Sequence, residues 1–207
     1  MTGRLQAGQP LIQEELSRAL GISRGPLREA MRRLESEGLL VAEPHKGTRV
    51  AVVSPEDVVE LYTIRGLLEG YAASSALERL RAEKLPLMAA ELKGLDEAAQ
   101  TQDWARVAEL DTQWHRHIVT ALGNRRLEET WARNNGPLRA IFAVAASHAS
   151  TPDFVYERHR ELLALLETSD PNTIEQAIRR HYLVSAHRLA GILKTWEQAQ
   201  WAKPRGG

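Results

Sequence analysis

Between Leu11 and Val53 the apolar residues recur first in two runs at helical spacing and then in two short strand-like runs. Leu11, Leu16, Ala19 and Leu20 share one side of a short helix, which Gly21 is placed to end. Leu27, Ala30, Met31 and Leu34 then recur at helical spacing and predict a buried stripe on a second helix. Ser23 can cap that helix, Pro26 falls in its first turn, and Gly38 stops it. Next, Leu39–Glu43 and Thr48–Val53, rich in Val and Leu, flank Pro44-His-Lys-Gly47 and predict two short strands around a hairpin turn. From Ser54 onward the pattern is helical. Ser54-Pro55-Glu56-Asp57 reads as a cap, a proline at the first helical position and acids in the first turn. Six segments follow: Pro55–Leu80, Leu85–Thr101, Asp103–Leu122, Arg125–Ala149, Asp153–Glu167 and Pro171–Trp201. Gly136-Pro137 predicts a kink or break inside the fourth.

A short helix, a glycine turn and a second helix form the helix-turn-helix pattern, and the hairpin after it makes a wing. Arg24, Arg28 and Arg32 are four apart, each rotated only about 40° from the last. One edge of the helix therefore packs while a neighbouring edge presents guanidinium groups. This suits a helix whose N-terminal end lies in a DNA major groove. Surface helices also carry arginines for solubility, but three elements in the right order outweigh that. The fold expected is mainly α, with a winged helix-turn-helix over residues 1–53 and an all-helical bundle over 54–207.

Composition narrows the setting. The 207 residues allow one or two domains, and 43% hydrophobic content is enough for real cores. No apolar run is long enough to span a bilayer, and Arg4 to Glu15 is too polar for a signal peptide. The absence of cysteine removes disulfides and thiolate metal sites and fits a cytoplasmic protein. Net charge is zero: residues 1–53 carry 8 Lys and Arg against 6 Asp and Glu, and 54–207 carry 19 against 21. So slight an excess gives modest unspecific attraction to DNA, and tight binding then calls for two copies on a two-fold site.

The bundle holds its own candidate chemistry. Asp111 and His115, four apart, stack on one helix face, while His159 and His181 lie on the fifth and sixth segments. One carboxylate and three imidazoles suit zinc, nickel, manganese or iron, and facing helices can bring them together. Spacing alone leaves open an exposed Asp–His pair with two unrelated histidines. His117 is about 200° around the helix from His115, His148 ends a helix, and His187 lies six beyond His181, so these three are set aside. The five tryptophans read as core and interface anchors. An enzyme built on the bundle is the competing possibility. Against it, the chain lacks both His-Glu-x-x-His and the Glu-x-x-His pair of di-iron bundles.

The segment Leu20-Gly-Ile-Ser-Arg-Gly-Pro-Leu-Arg-Glu-Ala-Met-Arg-Arg-Leu-Glu-Ser-Glu-Gly-Leu39, followed by Gly47 and Val50, resembles the DNA-binding domain of the GntR superfamily. Asp111-Thr-Gln-Trp-His115 with Gly123-Asn124 and Leu127, then Tyr156-Glu-Arg-His159, then Ala177-Ile-Arg-Arg-His181, are similar to the FCD effector domain of the FadR-type branch. The first resemblance implies DNA contacts from Ser23, Arg24, Gly25 and Arg28 on the recognition helix and from His45, Lys46 and Gly47 on the wing. The second implies that Asp111, His115, His159 and His181 are the four ligands of a divalent metal, zinc first, with nickel, manganese or iron as alternatives. Arg65, in Leu61-Tyr-Thr-Ile-Arg65-Gly-Leu-Leu-Glu69, resembles the family arginine that faces the same cavity and holds an effector carboxylate. A salt bridge to Glu69 at i+4 is the equal alternative for Arg65.

Two departures from the pattern are expected to matter. The family's first helix is mostly absent because Met1 lies near where it should end, through a misplaced start or a late-beginning fragment. Ile12 stands where the family often has a capping serine, which weakens the next helix start. Together the resemblances imply a homodimeric, ligand-responsive transcriptional regulator, a repressor in the family's common mode, on a near-palindromic double-stranded operator. Its effector would be a small carboxylate or sugar acid beside the metal, with no membrane partner. The alternatives are a metal-dependent enzyme and a DNA-binding protein whose metal is purely structural.

Overall fold

Glycines end both helices of the N-terminal region. In the computed structural model, residues 5, 7–36, 38–43, 47–138 and 152–201 are described, with 152, 153 and 196–201 described by backbone alone. The order begins β1 (Pro10–Leu11), α1 (Gln13–Leu20), α2 (Arg24–Ser36), β2 (Leu40–Glu43), β3 (Gly47–Val50). Gly21 closes α1 in the left-handed conformation, and Ile12 caps its start with no side-chain hydrogen bond. At the end of α2 the Gly38 N–H donates to Glu35 O (3.0 Å) and the Leu39 N–H to Leu34 O (2.9 Å). With φ +71° at Gly38, this is a Schellman termination, which favours glycine because that φ crowds a Cβ.

The three strands form one antiparallel sheet in the order β1-β3-β2, with Leu40 opposite Val50 and Leu11 opposite Thr48. β1 was not anticipated. Leu11, expected in the first helix, pairs instead with a strand far along the chain. β3 begins at Gly47 and stops at Val50, short of the expected Val53. Leu27, Met31 and Leu40 form the core here, with Leu11, Leu16, Leu34 and Val50 against them. Ala19, Leu20 and Ala30, expected in the packed stripes, are exposed. They lie at the edges of α1 and α2, beyond the reach of this small core.

The bundle comprises α3 (Pro55–Ser75), α4 (Leu77–Glu83), α5 (Leu85–Gln100), α6 (Trp104–Leu122), α7 (Arg125–Arg133), a helical stretch α8 described over 135–138, α9 (Pro152–Thr168) and α10 (Pro171–Trp201). Ser54 and Asp57 make a reciprocal capping box at the start of α3, with Pro55 in the first turn. Asp103 and Asn124 cap α6 and α7 through their side chains. The expected single helix Pro55–Leu80 is two, broken at Ala76, which lets α4 turn Leu77 and Leu80 into the core. The break expected at Gly136-Pro137 falls at Asn134, so Pro137 sits in the first turn of α8, where its missing N–H costs nothing. The remainder of the expected Arg125–Ala149 segment, 139–149, is outside the described residues.

Close approach of α3 and α10 sets the geometry of the interior. A Cβ on Gly66 would stand 3.3 Å from Tyr182 Cβ and 3.4 Å from Arg179 Cα, and one on Gly70 would stand 3.2 Å from Glu175. These two glycines let the backbones nearly touch, which carries Arg65 and Glu69 up against Tyr182. Around them, Val58, Leu80, Met88, Trp114, Ile118, Leu166, Ile174 and Ile178 form the main core. No described helix is long and apolar enough to cross a membrane.

Candidate functional site

Three helices deliver the expected donors to one place. Asp111 and His115 come from α6, His159 from α9 and His181 from α10. The three imidazoles are buried, and their ligand atoms all lie within 4.8 Å of one another. His115 Nε2 is 3.3 Å from His159 Nε2, and Asp111 Oδ1 is 3.1 Å from His159 Nε2 and 4.0 Å from His115 Nε2. Nitrogens each about 2.1 Å from a common ion stand about 3.0 Å apart at a right angle and about 3.4 Å apart at the tetrahedral angle. The His115–His159 separation falls between these. The Asp111–His115 separation of 4.0 Å is wider than either, so an ion bound by both would draw that pair inward.

Outer hydrogen bonds decide which nitrogens face inward. His115 Nδ1 lies 2.7 Å from Glu69 Oε2, and His159 Nδ1 lies 2.8 Å from the Val155 carbonyl oxygen. Both partners can only accept, so both Nδ1 atoms carry hydrogen and both Nε2 atoms of the neutral rings turn lone pairs toward each other and toward Asp111. Only a cation, whether a proton or a metal ion, matches that convergence. His181 Nδ1 is buried with no hydrogen-bond partner, which leaves it a further donor to spare. Burial, and after it the neighbouring His159, His115, Arg158 and Arg65, pushes the His181 pKa well below its ordinary value and keeps the ring neutral. Burial works to raise the Asp111 carboxyl. Contact with the His159 ring, and after it the pull of the His115 and His159 imidazoles and of Arg65, outweighs burial and holds the pKa at about 2. The residues fit a divalent ion bound by one carboxylate and imidazole nitrogens.

Behind the cluster lies a group that sequence reasoning valued only as a partner for Arg65. Glu69 is fully buried and accepts from Tyr182 Oη and Trp131 Nε1, each at 2.5 Å, besides His115. Arg65 reaches it at 3.2 Å. Burial opposes the charge on Glu69, but His115, Arg65 and the bond from Tyr182 lower its pKa and keep it ionised. Arg65 also donates to Tyr182 Oη at 3.1 Å and to Asn135 Oδ1, and its guanidinium lies 4.4 Å over the Trp131 ring. The i+4 ion pair weighed for Arg65 therefore exists, and the same side chain lines the cavity beside the histidines.

That cavity measures about 50 Å³ and is bounded by Arg65, Asp111, the three histidines and Tyr182, with Phe154, Arg158 and Arg188 also lining it. Arg158 Nε is buried without a hydrogen-bond partner, and Arg188 lies 4.1 Å over the Phe154 ring. Neither arginine was singled out from the sequence. Arg158 adjoins His159, and Arg188 lies seven beyond His181 and so on its face, a spacing that could have found it. His117 is bonded to Glu91 at 3.1 Å, away from the cluster, and His187 is exposed. His148 is outside the described residues.

On the other domain, Ser23, Arg24, Gly25 and Arg28 are exposed at the start of α2. Arg24 makes a loose pair with Glu14 at 3.6 Å. Gly47 opens β3 and is exposed; His45 and Lys46 are outside the described residues. Thr48 donates to Glu35 Oε1 at 3.1 Å and ties the wing to the recognition helix.

A winged helix joined to a helical bundle is the architecture of a DNA-binding transcriptional regulator. Residues 1–50 match the model of bacterial regulatory proteins of the gntR family, and residues 60–183 match the FCD domain. The chain belongs to the GntR family of transcriptional regulators, in the branch that carries an FCD domain, and not to a family of enzymes. It is 35% identical over 198 residues to the "Probable D-xylose utilization operon transcriptional repressor" of Paenarthrobacter nicotinovorans, covering 92% of this chain and 85% of that protein. It is 24% identical over 175 residues to the HTH-type transcriptional repressor RspR of Escherichia coli K12, covering 84% and 76%. Among solved structures, E. coli McbR/YncC shares the fold with a TM-score of 0.74 at 23% identity, covering 94% of this chain and 91% of that one. A GntR regulator from Rhodococcus sp. RHA1 shares it with 0.73 at 24%, covering 91% and 90%.

Proposed function

We propose that the protein is a metal-dependent, acid-responsive repressor in the cytoplasm. Residues 1–53 would bind DNA and 54–207 would hold the sensor and the homodimer contact. Asp111, His115, His159 and His181 hold one divalent ion, zinc first among the candidates. The observation that carries this is the convergence of the His115 and His159 lone pairs on Asp111, buried and fixed from outside by Glu69 and Val155. A bound ion supplies a Lewis-acidic point of attachment for a carboxylate oxygen. Arg65, Arg158 and Arg188 line the same cavity and favour an anion there. A space of about 50 Å³ admits an ion with a water or so. An organic acid must therefore move the walls as it enters, and that movement is what can change the DNA-binding domains.

Ser23, Arg24, Gly25 and Arg28, with His45, Lys46 and Gly47 of the wing, contact the operator, one recognition helix per subunit in successive major grooves. The test uses a duplex selected from a random library by the wild-type protein, followed by fluorescence anisotropy with zinc-loaded protein. Sugar acids and dicarboxylates are added in turn, with pentose-derived acids first because of the relative named for D-xylose utilization. At least one acid should weaken binding by about 5-fold or more, with the effect lost in His159→Ala. Silence across the panel, with zinc bound, would leave a structural ion instead.

A further inference from the structure

We propose that the Pro137 ring, seated on Gly38, is the contact through which the ion cluster acts on the recognition helix; this rests on the reading that the cluster holds a divalent ion. A Cβ built on Gly38 would lie 2.9 Å from Pro137 Cγ and 3.4 Å from its Cδ, so the ring of α8 rests directly on the backbone of the N-terminal domain. Gly38 is the residue that terminates α2. Leu40, two residues on, packs with Leu27 and Met31 of that helix. Glu35, in its last turn, accepts both the Gly38 N–H and the Thr48 hydroxyl of the wing. A push at Gly38 is thus delivered to the end of the recognition helix and to the wing together.

The other end of the link is equally short. Asn135, two residues before Pro137 in the same turn, accepts from Arg65. Trp131, at the end of α7, donates to Glu69 and lies under the Arg65 guanidinium. Glu69 holds the Nδ1 of His115, whose Nε2 faces the ion site. From ion to recognition helix the route runs His115, Glu69, Trp131 with Arg65, Asn135, Pro137, Gly38. Every step is a hydrogen bond, an ion pair, a ring contact or a single helical turn. Because Arg65 and His115 are both buried and both bonded to the buried Glu69, a displacement of His115 is passed through that carboxylate to Arg65.

The measurement is hydrogen–deuterium exchange on the full chain, with and without zinc chloride as the only added ligand. In wild type, zinc should slow exchange around His115 and Trp131 and also at Gly38 to Leu40, by about 5-fold or more. In Pro137→Ala, zinc should bind with unchanged affinity by calorimetry and still protect the bundle, while the protection at Gly38 to Leu40 is lost. Asn135→Ala cuts the same route at its other end and should give the same loss, which covers the case of an unstable proline variant. Protection of Gly38 to Leu40 that persists in both variants, or never reaches them in wild type, overturns the link. A wild-type chain that fails to bind zinc overturns the ion-site reading itself, a separate and distinguishable result.

Discussion

In the N-terminal domain the arginines stand outside a thin core of Leu27, Met31 and Leu40, and Ile12, Leu20, Ile22 and Val41 remain exposed beside them. In the bundle the polar groups are inside: Arg65, Glu69, His115, His159 and His181 are all buried, within a core many times larger. The difference separates two kinds of chemistry. An exposed guanidinium is free to meet a phosphate or a base edge, and losing it leaves the fold alone. A buried carboxylate bonded to an imidazole, an indole, a phenol and a guanidinium is structure and function at once.

The strongest way to sharpen that contrast is at the buried end. Glu69→Ala takes the buried carboxylate from Arg65 and His115, and removal of one partner from a buried pair costs about 3–5 kcal/mol. Urea unfolding should show that loss together with weaker zinc binding. At the exposed end, Arg28→Ala should cost about 1–3 kcal/mol of operator affinity while changing the unfolding free energy by less than about 0.5 kcal/mol. A large stability loss at Arg28 would break the comparison.

Acid should distinguish the two halves next. Zinc needs neutral imidazoles and an ionised carboxylate, so protons compete with it, and affinity falls by up to about tenfold per pH unit for each proton displaced. Calorimetry at pH 7.5 and pH 5.5 should show this weakening, whereas DNA binding by Arg24 and Arg28 carries no such requirement. The smallest effect belongs to the weak helix start. Ile12→Ser supplies the cap that α1 lacks and should add about 1 kcal/mol, read as a shift in thermal midpoint.

Much of this was legible in the residues. Helical spacing and punctuation by Gly21, Gly38, Pro55 and Pro171 located the helices, because those signals act within one or two turns. The break at Ala76 was not legible: alanine favours helix, and only the burial of Leu77 and Leu80 requires the turn. β1 escaped for the same reason, since its two residues are made a strand by β3 from far along the chain. Asp111, His115, His159 and His181 could be named from motif resemblance. The roles of Trp131, Tyr182 and Asn135 depend on which helices become neighbours, and Gly66 and Gly70 decide that through the α3–α10 contact.

Anomalous diffraction at the zinc edge from a zinc-loaded crystal tests the centre of the proposal most directly. One peak per chain is expected between His115 Nε2 and His159 Nε2, about 2.0–2.2 Å from both nitrogens and from an Asp111 oxygen, with His181 completing the set. No peak in the bundle, or one elsewhere with the four side chains still apart, would contradict it.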